Sequence, residues 1–181
     1  MSQLFNNKYR IQTARLQSWN YANEGFYFVT ICTKNKEYYF GKISDSALIP
    51  TEIGRIAEEE WFKTIDLRPD MNIELGEFVV MPNHIHGIVI IGRNEFNQIN
   101  LYNTYEKQNQ FSPQSKNLAS IIRGYKIAVT TYARKNNIEF EWQSRFHEHL
   151  IRSEKDYHKI RQYIIDNPLK WEEDSLFIKM I

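Results

Sequence analysis

From Ile73 to Ile91 the chain is rich in strand-forming residues, and only Pro82-Asn83 breaks the run cleanly. Proline has no amide hydrogen for a strand ladder and asparagine tolerates turn geometry. The pair therefore reads as a tight turn between two antiparallel strands, Ile73 to Met81 and His84 to Ile91. Residues 25–33, aromatic and β-branched, predict another strand. Lys34-Asn35-Lys36 reads as a turn, with Tyr38-Tyr39-Phe40 as a short returning strand.

Helical periodicity appears three times. Residues 51–65 predict a helix capped by Thr51, with Ile53, Ile56, Trp61 and Ile65 inward and Arg68-Pro69-Asp70 after its end. Residues 116–135 place Leu118, Ile121, Ile122, Tyr125 and Val129 at helical spacing. Ser153 caps a last helix that runs to Asn167 and is stopped by Pro168. Phe140-Glu141-Trp142 and His147 to Ile151 are short extended segments, and residues 93–115 read as a long loop. Strands interleaved with helices imply an α+β sandwich with one central antiparallel sheet. With no repeat and no linker, residues 1–181 are expected to form a single domain.

The charge balance is +1 overall but uneven along the chain. Residues 51–80 carry three Lys/Arg against eight Asp/Glu, whereas residues 116–152 carry seven against three. Residues 1–45 carry six against three. Such asymmetry fits either ordinary scatter or a basic face for phosphates with an acidic face turned away. The single cysteine, Cys32, cannot form an internal disulfide and is expected to pack in its strand. No apolar run reaches the roughly 20 residues that span a bilayer, and the N-terminus lacks a signal-peptide core, so a soluble cytoplasmic protein is expected.

Side chains alternate along a strand, so His84 and His86 project from one face while Ile85 points to the other. Two imidazoles so placed can close on one cation, or can simply be two strand histidines. On the last helix Tyr157, Ile160 and Ile164 form an apolar stripe, and Tyr163 and Asn167 stack one turn apart at its edge. Taken alone, that pair is equally an amphipathic boundary residue and a polar helix end.

Met81-Pro82-Asn83-His84-Ile85-His86-Gly87-Ile88 resembles the His-hydrophobe-His signature of single-tyrosine transposases. The similarity extends through Tyr27-Phe28-Val29-Thr30-Ile31-Cys32-Thr33, Ile121-Ile122-Arg123-Gly124-Tyr125-Lys126 and Trp142-Gln143-Ser144-Arg145-Phe146-His147-Glu148-His149. It ends at Tyr163-Ile164-Ile165-Asp166-Asn167-Pro168. The later motifs look more like the REP-associated branch than the insertion-sequence branch.

The resemblance implies a ferredoxin-like sandwich, with His84 and His86 as ligands of a divalent metal, Mg²⁺ or Mn²⁺. Ligand type alone would suit zinc equally. It implies Tyr163 as nucleophile and Asn167 as third ligand, where insertion-sequence members carry glutamine; Asp166 is the local rival. The implied reaction cuts and joins single-stranded DNA near hairpins through a 5′-phosphotyrosine and a free 3′-hydroxyl, in the cytoplasm at the nucleoid.

Arg123, Lys126, Arg145 and Arg152 are the expected phosphate contacts by charge, and Arg15, with Trp19, lies in an N-terminal segment that resembles the family's, a resemblance that implies reading of bases flanking a hairpin. Tyr38, Tyr39, Tyr102 and Tyr105 could stack on unpaired bases. His149 is expected to support the site, and a second metal on His147 and His149 is not. The resemblance allows a monomer or a homodimer. Competing readings are a hairpin-binding protein without catalysis, a replication-initiator or relaxase-like nickase, and an unrelated metal hydrolase using only the histidines.

Overall fold

The computed structural model describes residues 19–97 and 115–179. Arg15, Tyr102 and Tyr105 lie outside the described residues. The elements run β1 (Gly25–Cys32), β2 (Gly41–Ser44), β3 (Ala47–Pro50), α1 (Glu52–Phe62), β4 (Ile73–Met81), β5 (His84–Ile91), α2 (Leu118–Lys135), β6 (His147–Ile151) and α3 (Glu154–Asp166). Four strands form one sheet in the order β4-β5-β1-β6, each antiparallel to its neighbours. With α1 and α2 as the crossovers, this is the ferredoxin-like arrangement expected above. β2 and β3 make a separate hairpin.

The alternation of side chains splits the sheet into two unequal cores. Tyr27, Val29 and Ile31 of β1 and Ile85, Val89 and Ile91 of β5 face α1 and α2, where they meet Ile53, Ala57, Trp61, Ile121, Ile122, Tyr125 and Val129. The opposite face is covered by α3 and holds a smaller cluster of Ile88, Ile151 and Ile164, edged by Phe28, Val79, Tyr157 and Ile160. His84 and His86 share parity with Ile88, so they sit on the α3 face. A bulge between Leu75 and Phe78 resets the parity of β4. Both residues therefore face the larger core, and Glu77 turns to α3, where it accepts from Arg161 Nε at 2.5 Å and Tyr157 Oη at 3.5 Å.

Gly87 follows the histidine pair because Trp61 lies directly against its backbone. A Cβ there would stand 2.4 Å from Trp61 Cζ2, and Trp61, stacked on Phe78 with centroids 4.8 Å apart, has nowhere to retreat. Gly87→Ala is expected to cost about 1–3 kcal/mol through overpacking, read as a lower denaturant midpoint with an unchanged slope.

Thr51 caps α1 by accepting from Gly54 N, as expected, and Ser153 caps α3 by accepting from Asp156 N. Two expectations are corrected. Tyr38-Tyr39-Phe40 is not a strand: Phe40 N donates to Pro82 O and Phe40 O accepts from Thr51 N, so the returning strand starts at Gly41. The first helix stops at Phe62, leaving Ile65 40% exposed in a turn. The acidic α1 and the more basic α2 pack side by side in one layer, so the charge asymmetry does not divide the molecule into opposite faces. No helix among the described residues is long and apolar enough to cross a membrane.

Candidate active site

β5 begins at the edge of the Pro82-Asn83 turn, and its first residues set the two imidazoles side by side. His84 Nε2 and His86 Nε2 are 3.0 Å apart, and both side chains are almost fully buried. Asn83 lies behind His84: its Nδ2 donates to Lys36 O at 3.2 Å and Leu176 O at 2.9 Å. Its Oδ1 is thereby turned to His84 Nδ1 at 2.8 Å. An amide oxygen only accepts, so the His84 proton sits on Nδ1 and Nε2 presents a bare lone pair. His86 Nδ1 meets Thr30 Oγ1 at 2.9 Å. A hydroxyl donates or accepts, so Thr30 suits either tautomer of His86.

Burial holds both imidazoles neutral. His86 is pushed down to about 4, chiefly by desolvation, against the opposing pull of Asp174. His84 is lowered well below its ordinary range by burial and then by His86. Unfolding returns both to ordinary values near 6.5, so between about pH 6.5 and 4 the unfolded chain binds more protons and stability is lost as the pH is lowered. For His86 the whole shift is worth on the order of 3 kcal/mol. In the presence of chelator, the melting temperature of wild type is expected to drop over that window more steeply than that of His86→Gln. Parallel pH profiles for the two proteins would contradict this.

α3 brings Tyr163 onto the pair. Its hydroxyl lies 3.2 Å from His86 Nε2, and its ring packs against His86 and Phe28 with centroids 5.2 and 6.1 Å away. The chain after Pro168 then folds back across the site. Trp171, in a 3-10 turn, packs on His84 at 5.9 Å. Tyr38 Oη donates to Ile178 O at 2.5 Å and accepts from Ile178 N at 3.1 Å.

This return places Asp174, a residue the sequence reading did not single out, at the centre of the site. Its Oδ2 accepts from Tyr163 Oη at 3.2 Å and Asn167 Nδ2 at 3.0 Å, while Oδ1 accepts from Leu176 N at 2.6 Å. Partial burial, then the Asp174 carboxylate, raises the Tyr163 phenol to about 12. Donation to Asp174 fixes the Asn167 amide and leaves its buried Oδ1 without a hydrogen-bond partner.

His84, His86 and Asp174 offer ligand atoms within 4.8 Å of one another and could hold one metal ion. Neutral imidazoles, a carboxylate and an unsatisfied amide oxygen together fit a divalent cation. Asp166 is engaged elsewhere, accepting from Gln162 Nε2 at 2.7 Å and Lys170 Nζ at 3.2 Å.

The remaining sequence candidates are dispersed. His149 pairs with Asp156 at the start of α3, 2.9 Å away, and lies across from Phe28 in the sheet. His147 lies across Thr30 from His86, exposed on the edge strand β6. Arg145 and Arg152 flank the two ends of β6, exposed and without an ion-pair partner among the described residues. Lys126 donates to Gln143 O at 2.5 Å beside the Trp142 ring, and burial lowers its ammonium to about 8. Arg123 stands on α2, in the layer behind the sheet. Tyr39 packs against Phe140 at 5.4 Å, and Tyr38 is bound into the tail contact just described.

No protein-family model matches the sequence. An uncharacterised protein of Haemophilus influenzae is 40% identical over 171 residues, covering 92% of this chain and 93% of that one. Among solved structures, a REP-associated tyrosine transposase bound to a REP hairpin superimposes with a TM-score of 0.58 at 22% identity, over 89% of this chain and 74% of that one. The chain belongs to one family with the Haemophilus influenzae protein, and its fold is that of the REP-associated tyrosine transposase.

Proposed function

We propose that this protein is a metal-dependent transposase-type enzyme that nicks and rejoins single-stranded DNA beside a hairpin, with Tyr163 as its nucleophile. One observation carries the reading. Tyr163 Oη, on the last helix, stands 3.2 Å from His86 Nε2 and 3.2 Å from Asp174 Oδ2, and the two histidine nitrogens are 3.0 Å apart. A phenol, two imidazoles and a carboxylate from three separate parts of the chain thus converge on one point. The hairpin-bound transposase of the same fold supports DNA as substrate.

His84, His86 and Asp174 would hold Mg²⁺ or Mn²⁺, with Asn167 Oδ1 as a further oxygen donor. Bound there, the cation would polarise a nonbridging phosphate oxygen and offset the charge that develops on phosphorus. The chain's own groups do the rest. Phe28 and His86 hold the phenol ring in place, so the hydroxyl faces the same point as the imidazoles. Its proton lies on the hydrogen bond to Asp174 Oδ2. Attack by Tyr163 Oη forms a phosphorus–oxygen bond as the bond to the 3′ oxygen breaks. The products are a 5′-phosphotyrosine and a 3′-hydroxyl that takes up a proton. One phosphodiester replaces another, so rejoining consumes no nucleotide. Arg145 and Arg152, flanking the edge strand, would steady the backbone, and we expect a monomer or homodimer to suffice.

The test incubates the protein with a labelled hairpin carrying single-stranded flanks and Mn²⁺, then looks for a denaturant-stable protein–DNA adduct. An adduct that forms with Mn²⁺ and disappears in excess chelator is expected. Binding without any adduct would favour a non-catalytic hairpin binder, and cleavage without adduct a plain metal hydrolase. Asn83 provides a second check. Removing the acceptor that orients His84 should weaken Mn²⁺ binding about 10- to 100-fold in Asn83→Ala, measured by calorimetry. Unchanged affinity would deny Asn83 that orienting role.

A further inference from the structure

The layer behind the sheet carries a second chemically unusual place. Arg68, Arg123, Lys116, Ser115, Ser120, Gly124 and Ile127 line a cavity of about 310 Å³ beside α2. Arg68 is half-buried there, anchored by a hydrogen bond from Nη2 to Ser120 O at 2.9 Å. A side chain at Gly124 would put a Cβ 2.2 Å from that Nη2, so the glycine makes the room the guanidinium occupies. Lys116 is ion-paired with Asp70 at the rim. Neither Arg68 nor Arg123 has a carboxylate at ion-pair distance among the described residues. Burial weakens the hold of Arg68 on its proton, the nearby Asp70 carboxylate opposes that, and the Arg123 charge adds to it.

Arg68, Arg123 and Lys116 share this cavity with the Asp70 carboxylate at its rim, and a positive surplus of that kind favours an added anion. Guanidinium groups present forked N–H donors that match phosphate oxygens. Ile127, 58% exposed beside them, offers an apolar rim of the kind a sugar can rest on.

We infer that the cavity between Arg68 and Arg123 is a phosphate site for a DNA backbone, on the opposite face of the sheet from Tyr163. It would grip a part of the DNA that is not being cut. The inference rests on the DNA-processing reading for the identity of its ligand, not for the existence of the site.

The test measures affinity by fluorescence anisotropy over a salt series for wild type, Arg123→Glu and Arg134→Glu. Arg123 is exposed and unpaired, so its variant should fold normally, and Arg134 is an exposed arginine near the end of the same helix that controls for net charge. The probes are a labelled DNA hairpin and an unstructured strand of equal length. Arg123→Glu is expected to weaken binding at least about tenfold and to reduce the salt slope by about one, while Arg134→Glu stays within about twofold of wild type. Loss on the hairpin alone assigns the phosphate to the duplex stem, and equal loss on both probes assigns it to a single strand. Indistinguishable behaviour of the two variants on both probes would overturn the site. Wild type is assayed in parallel for the covalent adduct. An adduct with no Arg123 effect leaves the nuclease reading standing and removes this site; an Arg123 effect with no adduct does the reverse.

Discussion

Tyr163→Phe is expected to remove covalent adduct formation, a fall of at least about a thousandfold, while hairpin affinity stays within error. The substitution deletes one oxygen and keeps the ring that packs on Phe28 and His86. The side chain is 43% exposed, so no cavity opens and the melting temperature should hold. Among the described residues the other hydroxyl that contacts the histidine pair, Thr30 Oγ1, is occupied by His86 Nδ1. In the resting arrangement the phenol, raised to about 12, is a poor nucleophile. Its reactivity must therefore come from what gathers around it on binding metal and phosphate. Adduct formation by Tyr163→Phe would transfer the nucleophile to another residue.

The second large effect concerns the ligand set. His86→Ala should lower adduct formation at least about a hundredfold and weaken Mn²⁺ binding in parallel. A buried imidazole also fills space, so the same variant should lose stability. Asp174→Asn separates chemistry from packing. It keeps the shape and an acceptor for Leu176 N, but loses the charge. Mn²⁺ affinity is expected to fall about tenfold or more. The Tyr163 phenol, relieved of a neighbouring carboxylate, should titrate lower than about 12 in an ultraviolet titration of the metal-free protein. If Asp174→Asn left both metal affinity and the phenol titration unchanged, the carboxylate would have no part in the site.

How far the sequence anticipated this site depended on whether each contact was local. The strand pair around Pro82-Asn83, the parity of His84 and His86, and the stacking of Tyr163 on Asn167 all follow from short-range periodicity, and they appear in the fold as expected. The meeting of strand and helix does not follow from any local pattern. It depends on α3 packing over Ile88 and Ile151, and the family resemblance supplied that step.

Asp174 was missed for a clear reason. It is the last of the acidic residues Glu172, Glu173 and Asp174, beyond a helix-stopping proline, where nothing local distinguishes one carboxylate from the next. Burial of Trp171 against His84 turns Asp174 inward and leaves Glu172 and Glu173 exposed. The β2–β3 hairpin escaped notice because its turn is made by Asp45 and Ser46 in left-handed backbone at φ 51° and 62°. No glycine or Asn-Gly pair marks it. The aromatic run Tyr38-Tyr39-Phe40 looked more like a strand, yet its residues serve as packing and tail anchors.

The central claim is that Tyr163 carries the DNA during reaction. Its most direct test digests the Mn²⁺-dependent adduct with protease and nuclease and locates the residual nucleotide by mass spectrometry. A nucleotide joined through its 5′ phosphate to the peptide containing Tyr163, on that tyrosine, is the predicted result. A nucleotide on any other residue, or a 3′ linkage, would contradict it.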